Sequence, residues 1–205
     1  MKYDFEVKPV FTKNPENLVF LDIETTGLDP AKGAKIIEIA MLKTVDGDEH
    51  RYESFVNPGF SMPEDCSKVH CIYDDMVKDA PFFKCIAKDV ISFIGNGIVV
   101  CHNVSFDLLF VCKELSQADV LLKNIFYVDT LKLARRYFNF ESNKLGRIAN
   151  AMGIEVELSH RAMSDVVTMK KVAKRLFADM YRKDIDIIQP LVYEYKQIRV
   201  VKVCK

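Results

Sequence analysis

The stretch that decides the fold is Leu18-Val19-Phe20-Leu21-Asp22-Ile23-Glu24, followed directly by Thr25-Thr26-Gly27. The apolar run predicts a buried strand, and the threonines with their glycine predict a turn. Asp22 and Glu24 are two positions apart, so on an extended chain both side chains leave the same face. Two carboxylates in apolar surroundings repel each other and are costly to bury without a positive partner. The strand therefore predicts a compensating cation.

Outward from this strand, the apolar pattern predicts an alternation of short strands and helices. Positions 36–42 and 52–56 predict two strands joined by short connections, which makes an antiparallel meander. After Pro81 the period becomes helical, and Gly95-Asn96-Gly97 ends that helix. The remaining predicted elements are strands at 98–101 and 125–128, and helices from about Phe106 and around 130–138, 144–152 and 161–181. This order predicts an α/β fold with a mixed five-stranded sheet flanked by helices.

Length and composition bound the class of protein. The chain has 205 residues, of which 49% are hydrophobic and 28% charged, as is ordinary for a soluble globular domain. No apolar run reaches the roughly 18 residues of a membrane span, and the N-terminus carries no apolar signal-peptide core. We expect a cytoplasmic protein with no membrane partner. The net charge of zero argues against a strongly basic nucleic-acid coat.

The domain organisation predicted from these patterns has three parts. Residues 1–16 form an N-terminal extension, residues 17–182 form the domain, and residues 183–205 form a C-terminal tail. Within the tail, the alternation from Gln197 to Val203 suits an edge strand, but a partner-binding tail or a linker is equally open.

Two further acids lie in apolar surroundings. Asp107 follows the predicted strand at 98–101 and stands at a helix start among apolar neighbours. Ligands gather at the carboxyl ends of strands in open α/β sheets, so this is a favourable place for a site. Asp165 belongs to a helical stripe that steps by three and four residues, and it therefore faces inward near the helix start. The stripe is Ala162, Asp165, Met169, Val172 and Leu176.

A histidine completes the set. His160 stands five residues before Asp165, and five helical steps would put the two on different faces. Both can reach one site if His160 lies in the loop before the helix, where a histidine can act as a base. The four acids and the histidine come from four chain segments. The acids offer hard oxygen ligands, which favour Mg²⁺ or Mn²⁺ over zinc. Pairs of such ions are the usual device for cutting phosphodiesters.

Three motifs in this order resemble a known family. They are Leu21-Asp22-Ile23-Glu24-Thr25-Thr26-Gly27, His102-Asn103-x-x-Phe106-Asp107 and His160-x-x-x-x-Asp165. The chain is similar through them to the DEDDh 3′→5′ exonucleases, with the proofreading epsilon subunit of the bacterial replicative DNA polymerase among the relatives. Ile37-Glu38-Ile39-Ala40, Val69-His70 and Val128-Asp129-Thr130 are also similar.

The resemblance implies a ribonuclease H-like fold, two divalent ions and a role for each motif residue. Asp22 would bridge both ions, Glu24 and Asp165 would complete the shell of the first, and Asp107 would hold the second. His160 would be the general base. The residues expected to line the nucleotide pocket are Thr25, Thr26, Gly27, His70, His102, Asn103 and Phe106. The product would be a nucleoside 5′-monophosphate cut from a DNA 3′ end.

The sequence leaves three points open. The family commonly has glycine after the histidine at position 70, whereas this chain has Cys71, which puts the pocket rim in doubt. RNA exonucleases use the same motifs, so RNA is an alternative substrate to the favoured DNA. A catalytically inactive binding relative is the other alternative, although such relatives normally lack one or more ligands. Whether a DNA polymerase subunit is a partner is open as well.

Overall fold

The computed structural model describes residues 17–120, 125–156, 161–182 and 197–198. Five strands run through the centre of the fold: β1 Leu18–Thr25, β2 Ile36–Val45, β3 Asp48–Phe55, β4 Ile98–Cys101 and β5 Ile125–Asp129. A two-residue strand, β6, covers Gln197–Ile198. The seven α-helices of the described residues are α1 Glu64–His70, α2 Asp74–Val77, α3 Phe83–Ile94, α4 Val104–Gln117, α5 Thr130–Tyr137, α6 Leu145–Ala151 and α7 Ala162–Arg182.

The sheet has the strand order β3-β2-β1-β4-β5-β6. The first three strands form the predicted antiparallel meander, and β1, β4 and β5 run parallel to one another. All five predicted strands are confirmed, and β6 adds an antiparallel pairing at the β5 edge. The edge strand that the sequence left open for the tail is thus present at two of its residues. Residues 1–16 and the rest of the tail lie outside the described residues, and the division of the chain into three parts stays a prediction.

Two local features differ from the sequence prediction. The third strand begins at Asp48 instead of Tyr52, because Asp46 and Gly47 take φ values of 52° and 94° and form a tight hairpin turn. Positive φ at both central residues matches the right-handed twist of paired strands, so pairing starts directly after the turn. The short helices α1 and α2 were not predicted, because seven and four residues are too few to show a helical period.

Apolar side chains cover both faces of the sheet. Leu21 and Ile23 of β1 join a cluster that includes Phe83 of α3 and Leu108 of α4. Phe20 joins a second cluster with Ala40 and Leu42 of β2, and with Val166 and Met169 of α7. The alternation of β1 therefore places Leu21 and Ile23 against α3 and α4, and it places Phe20, Asp22 and Glu24 on the side of α7.

The helix α7 packs as its apolar stripe predicted. Ala162, Met169, Val172 and Leu176 are buried, and Asp165 is half-buried at the same end as Ala162. None of the helices in the described part of the chain is both long enough and apolar enough to cross a membrane.

Candidate active site

The candidate site lies at the edge of the sheet where the parallel strands end. Because β1, β4 and β5 are parallel, their carboxyl ends meet at this edge, as ligand sites in open sheets require. The antiparallel β2 brings its first half to the same place, where Glu38 pairs with Glu24 across the ladder. The first turn of α7 reaches this edge, since Arg161 and Ala162 both contact Glu38. Segments that lie far apart in the sequence thus converge at this edge.

Three of the four predicted acids share one small volume. Carboxylate oxygens of Asp22, Glu24 and Asp165 all lie within 4.8 Å of one another. Such an oxygen cluster suits a hard divalent cation, and none of these three residues is fully buried. The donor set therefore fits a magnesium or manganese site.

The fourth acid, Asp107, lies beside this group but outside it. It is only 2% exposed, it stands in the first turn of α4, and its carboxylate accepts a backbone hydrogen bond from Ile23. After burial, Asp107 is the largest contributor to the raised pKa of Asp22. The Asp107 carboxylate is therefore near enough to repel that of Asp22. A second ion position next to the first would require this proximity.

Electrostatics show how costly this arrangement is. Burial raises the pKa of Glu24 from 4.5 to about 8, with further repulsion from Asp165 and Glu38. Burial also raises the pKa of Asp22 well above its ordinary value, with Asp107 and Asp165 adding to it, and burial raises that of Asp107 in the same direction. Divalent cations would relieve this repulsion by stabilising the ionised carboxylates.

An ion pair that sequence reasoning missed closes one side of the site. Glu38 accepts from Arg161 through Nε at 3.1 Å and through a terminal nitrogen at 2.8 Å, and it accepts from the Ala162 N–H at 3.0 Å. Glu38 sits in an apolar strand, which is the signal that singled out Asp22, so its burial could have been predicted. Its partner, 123 residues away, could not.

The predicted turn Thr25-Thr26-Gly27 is held by its own hydroxyl groups. The Thr25 hydroxyl donates to the Gly27 carbonyl at 2.7 Å, and the Thr26 hydroxyl accepts from the Lys35 N–H at 2.9 Å. Both threonines are buried. Gly27 has little spare room, because a Cβ there would stand 3.4 Å from the Cβ of Ala34. These hydrogen bonds shape the turn from within.

His70 and Cys71 end the helix α1. His70 is buried, and its Nδ1 accepts from the Ile72 N–H at 3.1 Å, so the ring shapes the turn behind it. Cys71 has φ 55° and ψ 27°, a left-handed conformation at the helix end. Glycine adopts this conformation without a Cβ penalty, which explains why the family commonly has glycine at this position.

His102 and Asn103 form a braced loop between β4 and α4. The ring of His102 contacts the Thr130 hydroxyl at 2.9 Å and the Asn143 carbonyl at 2.8 Å, so both nitrogens are used within the protein. Burial lowers the pKa of His102, which favours the neutral ring. Asn103 is exposed in a left-handed conformation, and its N–H donates to Asp129 at 3.3 Å. Asp129 and Thr130 are thus supporting residues that the sequence prediction did not assign.

Of the last two predicted residues, Phe106 and His160, the structure describes only Phe106. Phe106 is half-buried in the first turn of α4, with its ring centroid 5.0 Å from that of Phe110. It therefore lies one position from Asp107 on the same turn. His160, the predicted base, lies outside the described residues, and its role stays a prediction.

Comparison with known proteins assigns the family. The RNase T exonuclease family model matches residues 19–173. The chain belongs to this exonuclease family. It carries a DEDDh-type 3′→5′ exonuclease domain with the ribonuclease H-like fold, as the three motifs predicted.

Curated relatives support this assignment at moderate identity. The DNA polymerase III subunit epsilon of Buchnera aphidicola is 32% identical over 75% of this chain and 70% of that protein. The 3′-5′ exonuclease DinG of Bacillus subtilis is 30% identical over 90% of this chain, but the match spans only 20% of DinG. The PolC-type DNA polymerase III of Clostridium perfringens is 34% identical over 84% of this chain and 12% of that protein. The domain therefore occurs both in short subunits and inside long polypeptides.

Solved structures agree on the fold. Exonuclease X in complex with 5′ overhanging duplex DNA superposes with a TM-score of 0.63 and 24% identity, covering 79% of this chain and 92% of that one. The nuclease domain of 3′hExo, a DEDDh family member bound to rAMP, gives a TM-score of 0.66 at 17% identity, with coverage of 80% and 92%. At such identities the likeness concerns the fold alone.

Proposed function

We propose that the protein is a metal-dependent 3′→5′ exonuclease that releases nucleoside 5′-monophosphates from single-stranded or frayed DNA 3′ ends. The observation that supports this best is the group of Asp22, Glu24 and Asp165 oxygens within 4.8 Å of one another. Asp107 stands next to them at the same sheet edge. Hydrolysis of a phosphodiester by two ions requires such a convergence of acids.

Each acid has a proposed position. Asp22 would contact both ions, Glu24 and Asp165 would hold the first, and Asp107 would hold the second, partly through water. When bound, the ions would supply an activated water and would offset the charge that develops on the departing 3′ oxygen. His160 would accept the proton of the attacking water, since an imidazole titrates near neutral pH.

The turn and the braced loop would hold the terminal nucleotide. The main chain at Thr25, Thr26 and Gly27 and the side chains of Asn103 and Phe106 are the parts we propose to contact it. Both ring nitrogens of His102 and the Nδ1 of His70 are used internally, so we assign these histidines to shaping the pocket wall.

The biological setting is proposed from the relatives. The similarity to polymerase III epsilon and PolC-type proteins supports a proofreading or repair role and a DNA polymerase subunit as a partner. The cytoplasmic location expected from the sequence is part of the same proposal.

A digestion assay tests the proposal directly. Matched and 3′-mismatched DNA, single-stranded DNA and RNA of one sequence, each labelled at the 5′ end, are incubated with Mg²⁺ or Mn²⁺, and the released products are identified. We expect 5′-mononucleotides, faster release from single-stranded and mismatched DNA than from RNA, and no release in excess EDTA. Faster release from RNA would move the assignment to an RNA exonuclease. No release from any substrate, with intact DNA binding, would indicate an inactive relative.

A further inference from the structure

The strand β2 brings a second glutamate, Glu38, to the site, and this residue has no place in the proposed metal shell. Glu38 stands directly across the ladder from Glu24, and directly opposed side chains share one face of the sheet. Like charges in that position destabilise a sheet, and Glu38 contributes to the raised pKa of Glu24. A glutamate that only added repulsion would destabilise the fold. The hydrogen bonds that Glu38 makes explain why a glutamate is nevertheless present.

Both oxygens of Glu38 are occupied by the start of α7. Oε1 accepts from Arg161 at 2.8 and 3.1 Å, whereas Oε2 accepts from the Ala162 N–H at 3.0 Å and from the Arg161 Nε at 3.3 Å. The Glu38 side chain is only 1% exposed. Charge-assisted bonds with this forked geometry are both strong and directional. The contacts leave Glu38 poorly placed to act as a metal ligand.

Arg161 also contacts the neighbouring strand β3. Its guanidinium carbon stands 5.2 Å from the Phe55 ring centroid, and one terminal nitrogen is 3.9 Å from a Glu53 carboxylate oxygen. The guanidinium thus lies against β2 and β3 together, where its forked bonds and the ring face restrict rotation. These contacts of Arg161 hold the chain in place one residue before α7 begins.

The acid that lies next to these contacts along the helix is Asp165. It lies three residues after Ala162, within the first helical turn, and its oxygen must come within 4.8 Å of those of Asp22 and Glu24. Glu38 supplies the hydrogen-bond acceptor for the helix N-terminus that a local capping side chain would otherwise supply. Arg161 also directly follows the predicted base, His160, in the sequence.

We propose that Glu38 is a positioning residue of the exonuclease site, which acts through Arg161 and the Ala162 N–H to set the start of α7 and so the approach of Asp165 to Asp22 and Glu24. This inference rests on the proposed metal-dependent function. It assigns Glu38 no contact with the ions or the substrate.

The test compares Glu38→Gln with a control variant that breaks a different ion pair of α7. In Glu38→Gln the shape is kept, but the amide nitrogen must face the Arg161 or Ala162 donors. In the control, Glu49→Gln, the partner Lys170 on α7 loses an ion pair that lies away from the carboxylates. Melting temperature, Mn²⁺ affinity by calorimetry, and kcat and KM on single-stranded DNA and RNA oligonucleotides are measured for each, with Asp22→Asn as the inactive reference.

We expect Glu38→Gln to weaken Mn²⁺ binding about tenfold and to lower kcat about 10- to 100-fold with KM changed less than about threefold, because displaced supporting groups cost roughly this much. Arg161→Lys keeps the charge but loses the fork, so it should show a smaller loss of the same kind. The double variant should be no worse than Glu38→Gln, since both act through one contact. Glu49→Gln should lower only the melting temperature.

The outcomes separate the two proposals. If wild type binds Mn²⁺ and cuts, Asp22→Asn does not cut, and Glu38→Gln and Arg161→Lys both match wild type, the positioning role is overturned while the function stands. The positioning role is also overturned if Glu49→Gln reproduces the losses, because a general destabilisation would then account for them. If wild type neither binds Mn²⁺ nor cuts either substrate, the proposed function itself fails. Should Glu38→Gln not fold, Arg161→Lys decides by the same criteria.

Discussion

The two faces of β1 make opposite use of adjacent residues. Leu21 and Ile23 point into an apolar cluster with α3 and α4, and their burial stabilises the fold. Asp22 and Glu24, between and after them, lie on the α7 side, where burial and mutual repulsion raise their pKa values. One short strand thus supplies both the core and the candidate metal site.

The comparison shows how stability and function are divided along this strand. Leu18 and Phe20 begin the α7-facing stripe as ordinary apolar packing residues, and Asp22 and Glu24 continue it beyond the point where apolar packing ends. Acids placed here weaken the metal-free protein, but the well-packed opposite face holds them in position. Strained or repulsive groups persist only when their surroundings determine their place.

The largest expected effect comes from exchanging Asp22 for asparagine. Asp22→Asn removes the charge that both ions would share, so we expect cleavage to fall about a thousandfold or more. Its melting temperature in EDTA should equal or exceed that of wild type, because one repelling carboxylate is gone. Asp165→Asn should behave alike. Cleavage by either variant at the wild-type rate would contradict the metal scheme.

A change at Leu21, the neighbour of Asp22 on the opposite face of β1, should lower stability and leave the cleavage rate nearly unchanged. Leu21→Ala removes a fully buried side chain and should cost about 3 kcal/mol of the free energy of unfolding, from lost burial and the cavity left behind. Measured below its melting temperature, each folded molecule should keep a cleavage rate within about threefold of wild type. Denaturant unfolding and a rate normalised to folded protein check both parts. A thousandfold loss of rate would show that the two faces are not separable.

The pH dependence of the metal-free protein sharpens the same contrast. The pKa of Glu24 is about 8 in the fold, against an ordinary 4.5, so between these values the folded state holds a proton that the unfolded state has released. Stability must therefore fall as pH rises through this window. In EDTA we expect the melting temperature to drop by about 5 °C between pH 6 and pH 8.5. Glu24→Gln and saturating Mn²⁺ should each flatten this slope, because in both cases the folded state no longer holds the extra proton. An equal slope in Glu24→Gln would remove Glu24 as the cause.

The smallest effect concerns the helix end beside His70. Cys71 holds a left-handed backbone with φ 55°, so Cys71→Gly should raise the free energy of unfolding by about 1 kcal/mol. Cys71→Ala, the matched control, keeps the Cβ and should give no gain. Equal stability of the two variants in urea would show that the backbone at this position is not strained.

Local patterns predicted most of the fold. The apolar runs of β1, β2, β4 and β5 and the stripe of α7 were each readable because a strand or helix repeats its environment every few residues. The Asp46-Gly47 turn was missed, which cost four residues of β3, and α1 and α2 were too short to show a period. The candidate metal ligands were readable for a related reason, since an acid within an apolar run is a local anomaly.

The sequence by itself determined the strands, the long helices and the identity of the acids, because these depend on neighbours a few residues apart. Only the tertiary structure decided which groups meet. The bonds of Glu38 to Arg161, of His102 to Asn143 and of Asn103 to Asp129 join segments that are 123, 41 and 26 residues apart. Such pairings follow from strand order and register, in which a shift of one residue would turn every side chain to the other face.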